Sequence, residues 1–127
     1  MSAADYPALE IAAITKEQLV RYAGASGDFN PIHYDADFAR QAGYDGPIAH
    51  GMLSMAFLGR AVTGWVGEGN VLALSARFKA VTYPGDSITI TGTVVQRRGD
   101  QLDLALEARK ADGSVTTTGK ATVRVVG

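Results

Sequence analysis

The sequence predicts a single α+β domain in which one long helix is followed by an antiparallel β-sheet with one apolar face. Three observations carry this. His50 to Val66 is a run whose apolar residues lie on nearly every side of a helix, and such a helix is a buried one. After Gly67 and Gly69 the hydrophobic period changes from that of a helix to the alternation of strands. The turn signals Pro84-Gly85, Gly99-Asp100 and Asp112-Gly113 then divide the remainder into strands that each have one apolar face, the pattern of an antiparallel sheet.

Composition sets the bounds. At 127 residues the chain reads as one domain, residues 1–127, without repeat, low-complexity tract or linker. With 46% hydrophobic residues it can build a core without a metal or disulfide staple. The net charge of −1 offers no global field for nucleic acid or an anionic membrane, so neither partner is expected. There is no cysteine, hence no disulfide framework and no thiol nucleophile. Met1 to Pro7 lacks the basic and apolar regions of a signal peptide, and a cytoplasmic protein is expected.

Taken in order, Leu9 to Ile14 reads as a short strand. Thr15 is an N-cap, with Gln18 three residues on as the second half of a capping box. In the helix that follows, Leu19, Tyr22 and Ala23 share one face, Gly24 weakens it, and Gly27 lies beyond its end. Asp35 caps a second short helix with Phe38, Ala39 and Ala42 inward and Gly43 as terminator. Tyr44 to Ala49 is a turn-rich connection. In the long helix, Gly59 and Gly64 clear space for another backbone, and Met52, Met55 and Trp65 read as core. The strands place Leu72, Leu74, Ala76, Phe78 and Ala80, then Ile88, Ile90 and Val94, then Leu102, Leu104, Leu106 and Ala108, then Ala121, Val123 and Val125 on the inner face.

Between the first two helices lies Ser26-Gly27-Asp28-Phe29-Asn30-Pro31-Ile32-His33, which packs a carboxylate, an amide and an imidazole into six residues. Pro31 fixes its own φ and pushes Asn30 towards extended geometry, so the stretch reads as a stiff loop with no helix through it. A bent loop can aim Asp28 and His33 at one water, activating it and shuttling its protons. The same residues are also ordinary turn formers, with Asp28 capping a turn and His33 half-buried.

Three segments resemble one family. Tyr22 to His33, followed by Ala39 at the right distance, is similar to the signature of the MaoC-like, or type 2, (R)-specific enoyl-thioester hydratases. Ile48-Ala49-His50-Gly51-Met52-Leu53 and Arg77 to Asp86 resemble further family segments, in the family's order. The resemblance implies the hotdog fold, an antiparallel sheet wrapped around a long central helix. It implies a lyase that hydrates trans-2-enoyl thioesters, or dehydrates (R)-3-hydroxyacyl thioesters, in fatty-acid or related acyl metabolism. Its substrate would be an acyl-CoA or an acyl carried on acyl carrier protein, with no cofactor. It puts the catalytic Asp and His on Asp28 and His33, and the oxyanion donor on the N–H of Gly51. Hotdog pairing, as a homodimer or with a second hotdog subunit, is also implied.

The residues themselves leave alternatives open. Gly51 lies in the first turn of the long helix, where backbone N–H groups lack internal partners and carry partial positive charge. Its lack of a side chain lets a thioester oxygen approach, or merely avoids a clash. Asn30 either holds the water or orients His33, or is a turn residue. Ser54 either touches the thioester or bonds its own helix backbone. His50 is a second catalytic histidine, a metal ligand with Asp28 and His33, or a residue orienting the helix start; nothing in the sequence has metal-ligand spacing. Arg60, Arg77, Lys79, Arg97 and Arg98 either meet coenzyme A phosphates or an acidic carrier, or are simply solvated.

Two other functions share this fold, since fold does not fix function. A thioesterase would attack the carbonyl rather than C3. A non-catalytic subunit of a dehydratase heterodimer would be expected to lack Asp28 or His33, and both are present.

Overall fold

The structure, a computed structural model, describes residues 6–125; most of the N-terminal segment read above for a signal peptide lies outside that range. The elements are β1 (Leu9–Ile11), α1 (Lys16–Ser26), a single 3₁₀ turn at Pro31–His33, α2 (Ala36–Gln41), α3 (Gly51–Val66), β2 (Val71–Phe78), β3 (Ile88–Arg98), β4 (Gln101–Lys110) and β5 (Val115–Arg124). The strands form one five-stranded sheet in the order β1-β3-β4-β5-β2, and every neighbouring pair is antiparallel. This is the α+β hotdog arrangement. No helix among the described residues is long and apolar enough to cross a membrane.

The core lies between α3 and the concave sheet. Leu53, Phe57, Leu58, Ala61 and Val62 form the buried face of the helix. They meet the inner face of β4, where Leu102, Leu104, Leu106 and Ala108 are all buried as their alternation predicts. Full burial of one such Leu or Phe stabilises the fold by about 1.5–3 kcal/mol.

Several local expectations are corrected. The first strand ends at Ile11 rather than Ile14. The long helix buries one face only: Met52 and Arg60 are exposed and Met55 is half-buried, because a single sheet covers a single side. Trp65 is partly buried, stacked on Tyr6 with its Nε1–H donating to the Pro7 carbonyl. In β2 a register shift between Val71 and Ala73 breaks the alternation, and Leu72 is exposed, as is Phe78 at the far end of this edge strand. In α2 only Ala39 is inward; Phe38 and Ala42 are exposed. The strand does not reach Ala80, which lies beyond its end.

The glycine packing also differs. A methyl on Gly59 would make ordinary contact with Leu74, and one on Gly64 would meet nothing. The close approaches are at Gly92, where a methyl would lie 2.5 Å from Trp65 Cζ3, and at Gly119, where it would lie 2.8 Å from the Ser75 carbonyl oxygen and 2.9 Å from Leu58 Cδ1.

Candidate active site

Each piece of the site is set by local sequence chemistry. The Thr15 hydroxyl accepts from the Gln18 N–H and starts α1. The helix runs through Gly24 and stops at Gly27, whose φ of 73° is the left-handed conformation glycine adopts readily. That reversal releases the chain into the 28–33 stretch. Asp28 Oδ1 accepts from the Asn30 N–H, and Asn30 Oδ1 accepts from the Ile32 N–H, which caps the 3₁₀ turn beginning at Pro31. The loop therefore does contain one helical turn, contrary to the sequence reading, because a proline at the first helical position needs no N–H partner.

This turn delivers His33 to a buried position. The Nδ1–H of His33 donates to the Ile48 carbonyl at 2.8 Å, and the Ile48 N–H in turn donates to the Ile32 carbonyl at 3.0 Å. A carbonyl oxygen can only accept, so Nδ1 keeps its proton and Nε2 carries the lone pair of the neutral ring. Nε2 faces Asp28 Oδ2 at 3.6 Å. The carboxylate stays half-exposed, at 51%, while the imidazole is 7% exposed, so one member of the pair is wet and the other dry.

Asp28 and His33 are thus brought together. Beside them opens a cleft of about 380 Å³, lined by apolar groups of Ile32, Ile48, Ala49, Phe78 and Val81 and by His33, Gly51 and Ser54. Its wall is pinned by the Ala49 N–H donating to the Thr82 carbonyl at 2.7 Å. The Gly51 N–H, at the start of α3, makes no backbone hydrogen bond among the described residues. The Ser54 hydroxyl also makes no hydrogen bond among the described residues, so the back-bonded reading is not what the structure shows. Asn30 is held as a turn residue and does not line the cleft. Of the basic residues only Lys79 lines it; Arg98 pairs with Asp103 and Arg97 donates to the Gly99 carbonyl.

His50 supplies what sequence reasoning missed. It is the N-cap residue of α3, yet its side chain makes no capping bond. Instead the ring, 1% exposed, turns back under the signature loop. It stacks on His33 with centroids 3.7 Å apart and planes 19° from parallel, lies 4.8 Å from the Tyr22 ring, and brings Nε2 to 3.2 Å from the Asp28 carbonyl oxygen. Nδ1 is buried without a partner. Burial, reinforced by the neighbouring His33, holds the imidazole pKa below its ordinary value despite the Asp28 carbonyl. Ligand atoms of Asp28, His33 and His50 lie within 4.8 Å of one another. Stacked rings direct their lone pairs side by side rather than to one point, and His33 Nδ1 is already engaged, so the trio fits a metal poorly.

Fold and site define a class: a hotdog domain with a carboxylate–imidazole pair at an apolar cleft. The chain belongs to the family described as MaoC like domain, whose profile matches residues 5–118. Among curated relatives, the (R)-specific enoyl-CoA hydratase of Aeromonas caviae is 33% identical over 112 residues, covering 85% of this chain and 84% of that protein. The enoyl-CoA hydratase ChsH3 of Mycobacterium tuberculosis is 32% identical over 117 residues, 89% of this chain, but this chain spans only 40% of it. The solved (R)-hydratase from A. caviae involved in PHA biosynthesis aligns with a TM-score of 0.85 and 28% identity, over 99% of this chain and 98% of that one. The ChsH1–ChsH2 complex from M. tuberculosis, at TM-score 0.87 and 20% identity over 99% of each chain, shares the fold.

Proposed function

We propose that the chain is a hydro-lyase that adds water to trans-2-enoyl thioesters to give (R)-3-hydroxyacyl thioesters, or runs the reverse dehydration. The observation that carries this reading is the approach of Asp28 Oδ2 to the lone-pair nitrogen of His33, a residue that lines an apolar cleft together with Gly51. The acyl thioester lies in the cleft. The Gly51 N–H, assisted by the partial positive charge of the α3 start, stabilises the enolate-like oxygen that develops as water adds at C3. Asp28 and His33 Nε2 hold that water. Between them they take up one of its protons and deliver one to C2, so the hydroxyl goes to C3 and the balance of one water is kept. Ser54 lies on the thioester side of the cleft and contacts the substrate; Asn30 fixes the turn that holds both groups.

Relatives named (R)-specific enoyl-CoA hydratase and 3-hydroxyacyl-thioester dehydratase support this reading over a thioesterase. Incubation with crotonyl and long-chain enoyl thioesters, on coenzyme A and on acyl carrier protein, tests it. The expected product is heavier by one water and has the (R) configuration. Release of free acid and thiol would establish the thioesterase instead.

The working form is a cytoplasmic homodimer or a pair with a second hotdog subunit. β2 is an edge strand with Leu72 and Phe78 exposed, and one stripe of α3 is uncovered. A monomer at micromolar concentration in sedimentation would contradict this. An inactive chain that gains activity on addition of a hotdog partner would select the heterodimer.

A further inference from the structure

The loop that carries Asp28 is poorly anchored. Within residues 28–30 the hydrogen bonds among the described residues are local, with Ser26, Asn30, Ile32 and the His33 N–H, except one: the contact of the Asp28 carbonyl with His50. A carbonyl only accepts, so His50 Nε2 is the donor and Nδ1 carries no proton in the neutral ring. His50 and His33 are therefore opposite tautomers stacked face to face, His33 protonated on Nδ1 towards Ile48 and His50 on Nε2 towards Asp28. One imidazole touches both members of the acid–base pair, one through its edge and the other through its face. A purely structural cap would bond the first turn of α3, and His50 does not. A residue there for packing alone would not leave a buried nitrogen without a partner.

We propose that His50 is a positioning residue for the hydration reaction: its Nε2–H fixes the Asp28 backbone and its ring face fixes the plane of His33, so that Oδ2 and Nε2 meet on one water. This rests on the hydratase reading above. The role requires a neutral His50, because a charged ring would repel an imidazolium 3.7 Å away and hinder proton uptake by His33. The groups facing His50 are the Asp28 carbonyl and carboxylate, the His33 ring and the Tyr22 phenol, and its burial disfavours the charge.

The test uses two substitutions and two readouts. His50→Phe keeps a ring against His33 and loses the donor; His50→Gln restores an amide donor at the place of Nε2. Because the chain has only two histidines, ring nitrogen NMR reads both directly. In the unmodified protein the His50 proton is expected on Nε2 and the His33 proton on Nδ1. In His50→Phe, kcat should fall by up to about 10²-fold with little change in KM, since misplacement of about 1 Å costs that much. His50→Gln should recover most of the rate. A folded His50→Phe with unchanged kcat overturns the proposal. If that variant does not fold, a His50 proton found on Nδ1 in the unmodified protein overturns it equally. Should the unmodified protein hydrate no enoyl thioester, the functional reading fails, while the two tautomers still judge the role of His50.

Discussion

His33 Nδ1 donates to the Ile48 carbonyl at 2.8 Å, and this one bond decides which nitrogen of the ring can do chemistry. It leaves Nε2, 3.6 Å from Asp28 Oδ2, as the lone-pair nitrogen of the neutral ring. Ile48 lies just before the helix that begins at Gly51, so one segment both orients the His33 ring and sets Gly51 at the cleft.

Gly51→Ala should lower turnover far more than stability. A methyl there would lie 3.3 Å from Phe78 Cε2, at the cleft, but Phe78 is half-exposed on an edge strand and can yield. The expected stability loss is below about 1 kcal/mol, whereas the methyl would crowd the thioester oxygen away from the Gly51 N–H, and loss of one such contact costs about 10²–10³ in rate. Steady-state kinetics beside a urea melt measure both. Normal kinetics in the folded variant would remove Gly51 from the mechanism.

Stability should decline as pH falls below about 6.5, the ordinary value for an imidazole, and part of that decline belongs to His50. Its folded pKa is depressed, so the unfolded chain binds the proton first. By linkage the folded state loses ground as pH drops from that value through the lowered one. Urea melts between about pH 7.5 and 5 should show a shallower decline in His50→Gln. Parallel curves for the two proteins would contradict this.

Gly119→Ala and Gly64→Ala should have opposite signs. The first drives a methyl to 2.8 Å from the Ser75 backbone oxygen, which cannot move aside, and should destabilise by about 1–3 kcal/mol. The second enters open space in the last turn of α3 and should stabilise by up to about 0.5–1 kcal/mol. Denaturation midpoints give both values; two changes of the same sign would refute the packing described.

What was legible in the sequence was whatever a local period or turn encodes. The alternation at Leu102, Leu104, Leu106 and Ala108 gave β4 its buried face, and Thr15, Asp35 and Gly27 marked helix ends by their own hydrogen-bonding and backbone chemistry. The inward assignment of Leu72 failed because a register shift in an edge strand is a sheet-level event with no local signal. Gly92 and Gly119 were missed because the side chains they admit, Trp65 and Leu58, are distant in sequence. The Asp28–His33 pairing was legible through the resemblance of Tyr22 to His33 to a family signature, since the residues alone read equally as turn formers. The return of His50 to Asp28 spans 22 residues and depends on the path of the connector, so it was not among the roles the sequence offered for His50.

The most direct test of the account is hydration of crotonyl-CoA by the unmodified protein and by Asp28→Asn, with a thermal melt of each. Asparagine keeps the size of aspartate and can still accept from the Asn30 N–H, but it cannot take a proton. If Asp28 works on the water with His33, the folded variant should lose roughly 10²- to 10⁴-fold in rate. A folded Asp28→Asn that hydrates the thioester at the unmodified rate would show that Asp28 only builds the turn, and would contradict the mechanism proposed for this site.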